Sequence, residues 1–182
     1  MDSTDPARIA AELLIAHRQA LLKATGGAAG HCVLFTRIAV DVCRERGVLA
    51  RPLVVSVEFR GDAEPDGTLQ YGFADRIPEG APPDFWDGHL VAILDRRLMV
   101  DLSIDAAARP ELGITPMPFV AEVPTSFLEG GTFEVAVPGG SGRYFAHPSR
   151  KDFRDLPAWQ QGSPEQTKKL ADALLWHPER RI

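Results

Sequence analysis

Three residues in this chain carry the side-chain types that nucleophilic catalysis requires, and they occur in the order Cys32, His89, Asp101. A thiol becomes a strong nucleophile when an imidazole within hydrogen-bond reach can take its proton. A carboxylate on the other ring nitrogen then holds the imidazole in the required tautomer. The set predicts attack on an amide or thioester carbonyl through a thioester acyl-enzyme, with Cys32 as nucleophile, His89 as general base and Asp101 as its orienting partner. The Cys32 backbone N–H is the expected donor to the oxyanion. Ser103 and Asp105 follow Asp101 closely and could support it, although capping the loop is the commoner role for such residues.

The element that must position the thiol is a helix. Small residues from Gly26 to Gly30 allow a sharp turn, and Phe35, Ile38, Ala39 and Val42 then recur at helical spacing until Gly47 supplies a stop. Cys32 falls at the start of that helix, where unpaired N–H groups and the positive end of the dipole favour a thiolate. Cys43 lies on the apolar stripe of the same helix and reads as a core thiol. The two cysteines are about 16 Å apart along it, too far to pair.

His89 and Asp101 fall on two short apolar runs, His89-Leu-Val-Ala-Ile-Leu and Leu98-Met-Val-Asp101-Leu-Ser, that predict an antiparallel hairpin. Its turn decides whether they meet. A three-residue loop over Asp95 to Arg97 pairs Leu94 with Leu98 and makes the two polar side chains diagonal neighbours on one face. A two-residue loop without a bulge sends them to opposite faces.

Around this core the sequence predicts a first helix from Pro6 to about Lys23, capped by Asp5, and a strand from Leu53 to Phe59. Gly61 to Gly88 reads as a long irregular excursion rich in proline and glycine, with Tyr71, Phe73, Phe85 and Trp86 suited either to covering a substrate or to packing a structural flap. Ala106 to Pro124 reads as loop. Thr132–Val137 and Arg143–Ala146 flank a Pro-Gly-Gly-Ser-Gly turn and predict a second hairpin, and Ser163-Pro-Glu-Gln opens a C-terminal helix over about 164–176. His17, at the edge of the first helix's apolar stripe, is expected to be an ordinary half-exposed side chain.

Several of these segments resemble the transglutaminase-like core: Gly30-His-Cys32 opening a helix, Gly47-Val-Leu-Ala-Arg-Pro-Leu-Val-Val leading into a strand, Gly88-His89-Leu-Val, and Met99-Val-Asp101. The similarity covers about residues 30 to 105. It implies a papain-like α+β fold, with the cysteine helix packed on an antiparallel sheet that carries His89 and Asp101. It also implies a cysteine protease, amidase or acyl-transferase with no cofactor, acting on a peptide or a small amide or acyl substrate. Arylamine N-acetyltransferases share the Cys, His, Asp order and give a second acyl-transfer reading. The pattern departs from the family in Val33, where an aromatic residue often follows the cysteine, and it lacks the Arg-Gly-Gly lead-in of the acetyltransferases.

Composition bounds the remaining possibilities. The chain has 182 residues, 45% of them hydrophobic, and a net charge of −5, which predicts a single domain over 1–182 without the basic stripe that nucleic acid requires. No apolar run approaches membrane-spanning length, and the acidic N-terminus lacks the features of a signal peptide, so a cytoplasmic protein with no membrane partner is expected. Two alternatives to catalysis are a transglutaminase-like binding or scaffold domain without turnover, and a metal site from His31, Cys32, His89 and Asp101. Adjacent ligands such as His31 and Cys32 rarely both reach one tetrahedral ion.

Overall fold

A twelve-residue strand, Ala50–Gly61 (β1), runs through the middle of the structure and gives the sheet its two edges of attachment. The computed structural model describes residues 5–24, 32–61, 68–72 and 86–173. Leu-Val-Val-Ser-Val within β1 has the β-branched content that suits a pleated, buried surface. Along one edge β1 pairs first with His89–Leu94 (β3) and then with Thr68–Tyr71 (β2), and along the other with Gly140–Ala146 (β7). The antiparallel order is β5-β4-β3-β1-β7-β6, with β2 off this path on β1, where β4 is Leu98–Asp101, β5 Phe119–Glu122 and β6 Thr132–Val137.

Side-chain alternation along β1 divides the core in two. Ala50 faces the helices Pro6–Ala24 (α1) and Cys32–Glu45 (α2), together with Ala92, Leu94 and Leu98. Leu53, Val55, Val57 and Phe59 face the other way, onto Val91, Ile93, Met99 and Tyr144, under a cover that includes Ile104 and Phe127. Both faces are therefore dry, which explains why all six residues of β3 are buried and why that strand reads as one apolar run. The fold is α+β with an antiparallel sheet.

The cysteine helix forms where the apolar period places it. Phe35, Ile38 and Val42 are at most 1% exposed, and each contributes roughly 1.5–3 kcal/mol by burial. Gly47, at φ +73°, terminates the helix in a left-handed conformation, while the Val48 N–H returns to the Cys43 carbonyl at 2.9 Å. In α1 the Asp5 carboxylate accepts the Ala7 N–H at 3.1 Å, the expected cap. At the far end Pro164–Ala173 (α5) starts after Ser163, whose carbonyl accepts the Thr167 N–H.

Two segments differ from expectation. The excursion after Gly61 contains β2, because Thr-Leu-Gln-Tyr can extend the edge of β1 beyond the point where β3 ends. The stretch expected to be loop over 106–124 ends in β5, in which Phe119 to Glu122 pair with β4. In both cases a local composition of Gly, Pro and Ala masked a four-residue strand that is held by an existing edge rather than by its own propensity. Short helices at Thr125–Leu128 (α3) and Pro157–Gln161 (α4) were not anticipated either. The Gly26–Gly30 turn, His31, most of the proposed covering excursion including Phe73 and Phe85, and residues 174–176 of the C-terminal helix lie outside the described residues. Among the described residues no helix is long and apolar enough to cross a membrane.

Candidate active site

Cys32 is the first residue of α2 and is 5% exposed. The first amides of a helix have no intrahelical acceptor, so this end of α2 offers N–H groups and a positive partial charge beside the sulfur. Two contacts on one face of the helix fix its height over the sheet. The Thr36 hydroxyl donates to the Leu90 carbonyl at 2.8 Å, and one turn earlier the Cys32 thiol lies 4.0 Å from the Gly88 carbonyl. Four helix residues rise about 6.0 Å and two strand residues about 6.8 Å, so contacts four residues apart on α2 match the carbonyls of Gly88, just before β3, and Leu90 within it. Thr36→Val is therefore expected to lower stability by about 1 kcal/mol, read as a reduced urea midpoint with an unchanged slope, with Thr36→Ser restoring most of the loss.

His89 opens β3 and Asp101 closes β4. The observed register pairs Leu94 with Leu98, Ile93 with Met99 and Ala92 with Val100, which leaves Asp95 to Arg97 as a three-residue loop. Asp95 and Arg96 both take positive φ there, as a tight hairpin needs. His89 and Asp101 consequently share a face, and His89 Nε2 lies 2.7 Å from Asp101 Oδ2. Both side chains are fully buried.

Asp101 is an acceptor hub. Its Oδ2 also takes the Tyr144 O–H at 3.0 Å, and its Oδ1 takes the Ser103 backbone N–H at 3.1 Å. The carboxylate thus caps the loop leaving its strand and grips the histidine at once. Burial alone lowers the pKa of an imidazole, but the Asp101 charge and hydrogen bond, followed by the nearby Cys32 thiol, reverse this and push His89 up to about 10. The second ring nitrogen, Nδ1, is buried and has no hydrogen-bond partner among the described residues. An orphaned buried nitrogen of this kind calls for an explanation. Here the imidazole is bound to a carboxylate at one nitrogen, has its pKa raised further by the nearby Cys32 thiol, and makes no hydrogen bond to a described residue at the other nitrogen.

Two tyrosines belong to this arrangement: the sequence reading misses Tyr144 and takes Tyr71 only as part of the irregular excursion. Tyr144 reaches Asp101 from β7, and the Tyr71 ring meets the His89 ring edge-on at 5.1 Å between centroids. Alternation within β7 does place Tyr144 inward, but nothing local identifies which carboxylate it meets. Tyr71 comes from the unanticipated β2. The close approach of that strand depends on Gly72, where a Cβ would lie 3.2 Å from the Val55 carbonyl oxygen and 3.3 Å from the His89 nitrogen.

Other residues of chemical interest lie elsewhere. Asp105 turns to Arg18 of α1, which also donates to the Leu102 carbonyl at 2.6 Å, so it anchors a helix rather than the site. Ser103 contributes its backbone amide. His17 bonds the Leu13 carbonyl on its own helix at 3.0 Å. Cys43 is fully buried, and burial, followed by Asp95, pushes its thiol up to about 12. Among the described residues no group of three or more His, Cys, Asp and Glu side chains is placed to hold a metal ion.

An imidazole bonded to a carboxylate, with a thiol nearby, can hold a proton taken from sulfur and later release it to a departing amine. No family model, curated protein or solved structure matches this chain.

Proposed function

We propose that this protein is a thiol-dependent hydrolase or acyl-transferase acting on an amide-type bond through a Cys32 thioester, on a transglutaminase-like, papain-like core. The observation that carries the reading is the His89 imidazole. It is bonded to Asp101 at Nε2, raised in pKa by Asp101 and by Cys32, and keeps a buried Nδ1 that has no hydrogen-bond partner among the described residues. A histidine serving only the core would satisfy both nitrogens.

In this reaction the thiolate attacks the carbonyl carbon, the Cys32 N–H at the helix start donates to the oxyanion, and the His89 imidazolium protonates the leaving amine. Water or an acceptor nucleophile then cleaves the thioester, with His89 taking its proton. Peptides, small amides and acyl donors all fit this chemistry, including the donors of an arylamine acetyltransferase-like reaction. The test is residue-resolved alkylation of the native chain. Iodoacetamide at pH 7 is expected to modify Cys32 many times faster than Cys43, as mapped by mass spectrometry; equal, slow modification of both would overturn the reading.

A second reading, the same fold without turnover, is favoured by one observation: Cys32 is 5% exposed and His89 and Asp101 are 0% exposed. In that case the three residues form a buried polar strut, and the alkylation experiment gives the slow, unselective result.

A further inference from the structure

The edge of β1 changes partner at one point. Val55 still faces His89 of β3, whereas Val57 already faces Tyr71 of β2, so Ser56 stands at the fork between the two strands. Alternation puts the Ser56 side chain on the same face as Val54, which packs in one apolar cluster with Cys32 and Leu90. From the helix, the Cys32 thiol reaches this fork 4.0 Å from the carbonyl of Gly88, the residue before His89. From the opposite face of the sheet, His89 closes it. A carbonyl carbon attached to the Cys32 sulfur would therefore have His89 on one side and the Ser56 face on the other.

A hydroxyl buried beside an apolar cluster needs a partner and a reason. Ser56 is 6% exposed, and its Oγ lies 3.0 Å from His147 Nε2. His147 follows β7, and its backbone N–H is tied to the Val54 carbonyl at 2.8 Å. Burial, and then the Arg150 charge, lowers the His147 pKa, which favours the neutral ring. With its proton on Nε2, the ring donates to Ser56 Oγ and leaves the Ser56 proton to turn toward another acceptor.

We propose that Ser56, oriented by His147, donates the side-chain hydrogen bond to the oxyanion formed when Cys32 attacks a carbonyl. The inference rests on the thiol-acylation reading above and adds a second donor to the Cys32 backbone N–H. In the first step the thiolate pair forms the C–S bond while the C=O π pair moves onto oxygen. Ser56 O–H and Cys32 N–H donate to that oxygen without transferring a proton. The pair then returns to re-form the C=O bond, the bond to the leaving group breaks, and an amine leaving group takes its proton from His89. Ser56 is thus a catalytic residue and His147 a positioning residue.

Two reagents separate this role from a structural one. Alkylation by iodoacetamide displaces iodide at a saturated carbon and forms no oxyanion, whereas acylation by 4-nitrophenyl acetate passes through one. Loss of one oxyanion donor lowers rates by about 10²–10³-fold. Ser56→Ala is expected to slow Cys32 acylation, followed as the 4-nitrophenolate burst, by about 10²-fold while leaving Cys32 alkylation within about twofold of the native chain. Ser56→Thr, which keeps a hydroxyl, should recover most of the acylation rate. His147→Gln should show the same split at about tenfold, and it provides the test if Ser56→Ala does not fold. Unchanged acylation in the folded variants, or an equal fall in both reactions, overturns the proposal while leaving the thiol reading intact. Slow, unselective alkylation of the native chain overturns both.

Discussion

At pH 7, iodoacetamide is expected to alkylate Cys32 of the His89→Ala chain about ten- to thirty-fold more slowly than Cys32 of the native chain. The thiolate is the nucleophile, and the alanine variant loses the imidazole that takes the thiol proton as the sulfur attacks. Cys43 supplies the internal control, since its thiol is buried and held up at about 12. Turnover should fall further, by about 10²–10⁴-fold, because the variant also loses the acid that protonates the leaving group. Alanine leaves the Asp101 carboxylate buried without its ring partner, so His89→Gln is the companion variant. Its amide N–H can still donate to Asp101 but takes no proton from sulfur, and it should react as slowly as His89→Ala. Native-like alkylation in either folded variant would remove His89 from the mechanism.

The second large effect lies at Asp101, where fold and proposed chemistry depend on the same atoms. Three donors converge on this buried carboxylate: the His89 ring, the Tyr144 hydroxyl and the Ser103 amide. Asp101→Ala strands all three and is expected to cost about 3–5 kcal/mol in urea unfolding. Asp101→Asn keeps the shape and separates the two roles. Its oxygen can retain the Ser103 N–H, while its NH₂ group faces His89 Nε2 and forces the ring proton onto Nδ1. In that tautomer His89 cannot accept from Cys32, so the folded Asn variant should lose about 10²–10⁴-fold in turnover.

Stability should report the same contact through pH. The His89 pKa is raised in the folded chain, so its stabilisation is full below the unfolded value near 6.5 and is lost as pH rises through the folded value near 10. Urea midpoints of the native chain should fall across that window. Those of Asp101→Asn should stay flatter, because the charge that raises His89 is gone. Parallel pH profiles for the two would show that Asp101 does not control the imidazole.

How much of this arrangement is legible in the linear chain depends on the range of the interaction concerned. The α2 helix and the thiol at its start follow from a 3.6-residue apolar period ended by Gly47, and both are local. The β3–β4 hairpin is nearly local too. Its two apolar runs specify the strands, and once Asp95 to Arg97 close the loop, parity alone brings His89 to Asp101. By contrast β2 and β5 are four-residue segments whose pairing energy comes from edges supplied elsewhere, so a Pro- and Gly-rich surrounding concealed them.

By itself, then, the sequence determined the α+β class, the helix-borne cysteine and the set of polar residues that could cooperate, because backbone periodicity and turn chemistry act over a few residues. Only the tertiary structure decided which donors meet Asp101, why His89 Nδ1 is left uncommitted, and that Ser56 and His147 meet where β1 exchanges β3 for β2. Those contacts join residues up to 91 positions apart. Long-range sheet order, rather than any signal along the chain, brings them together.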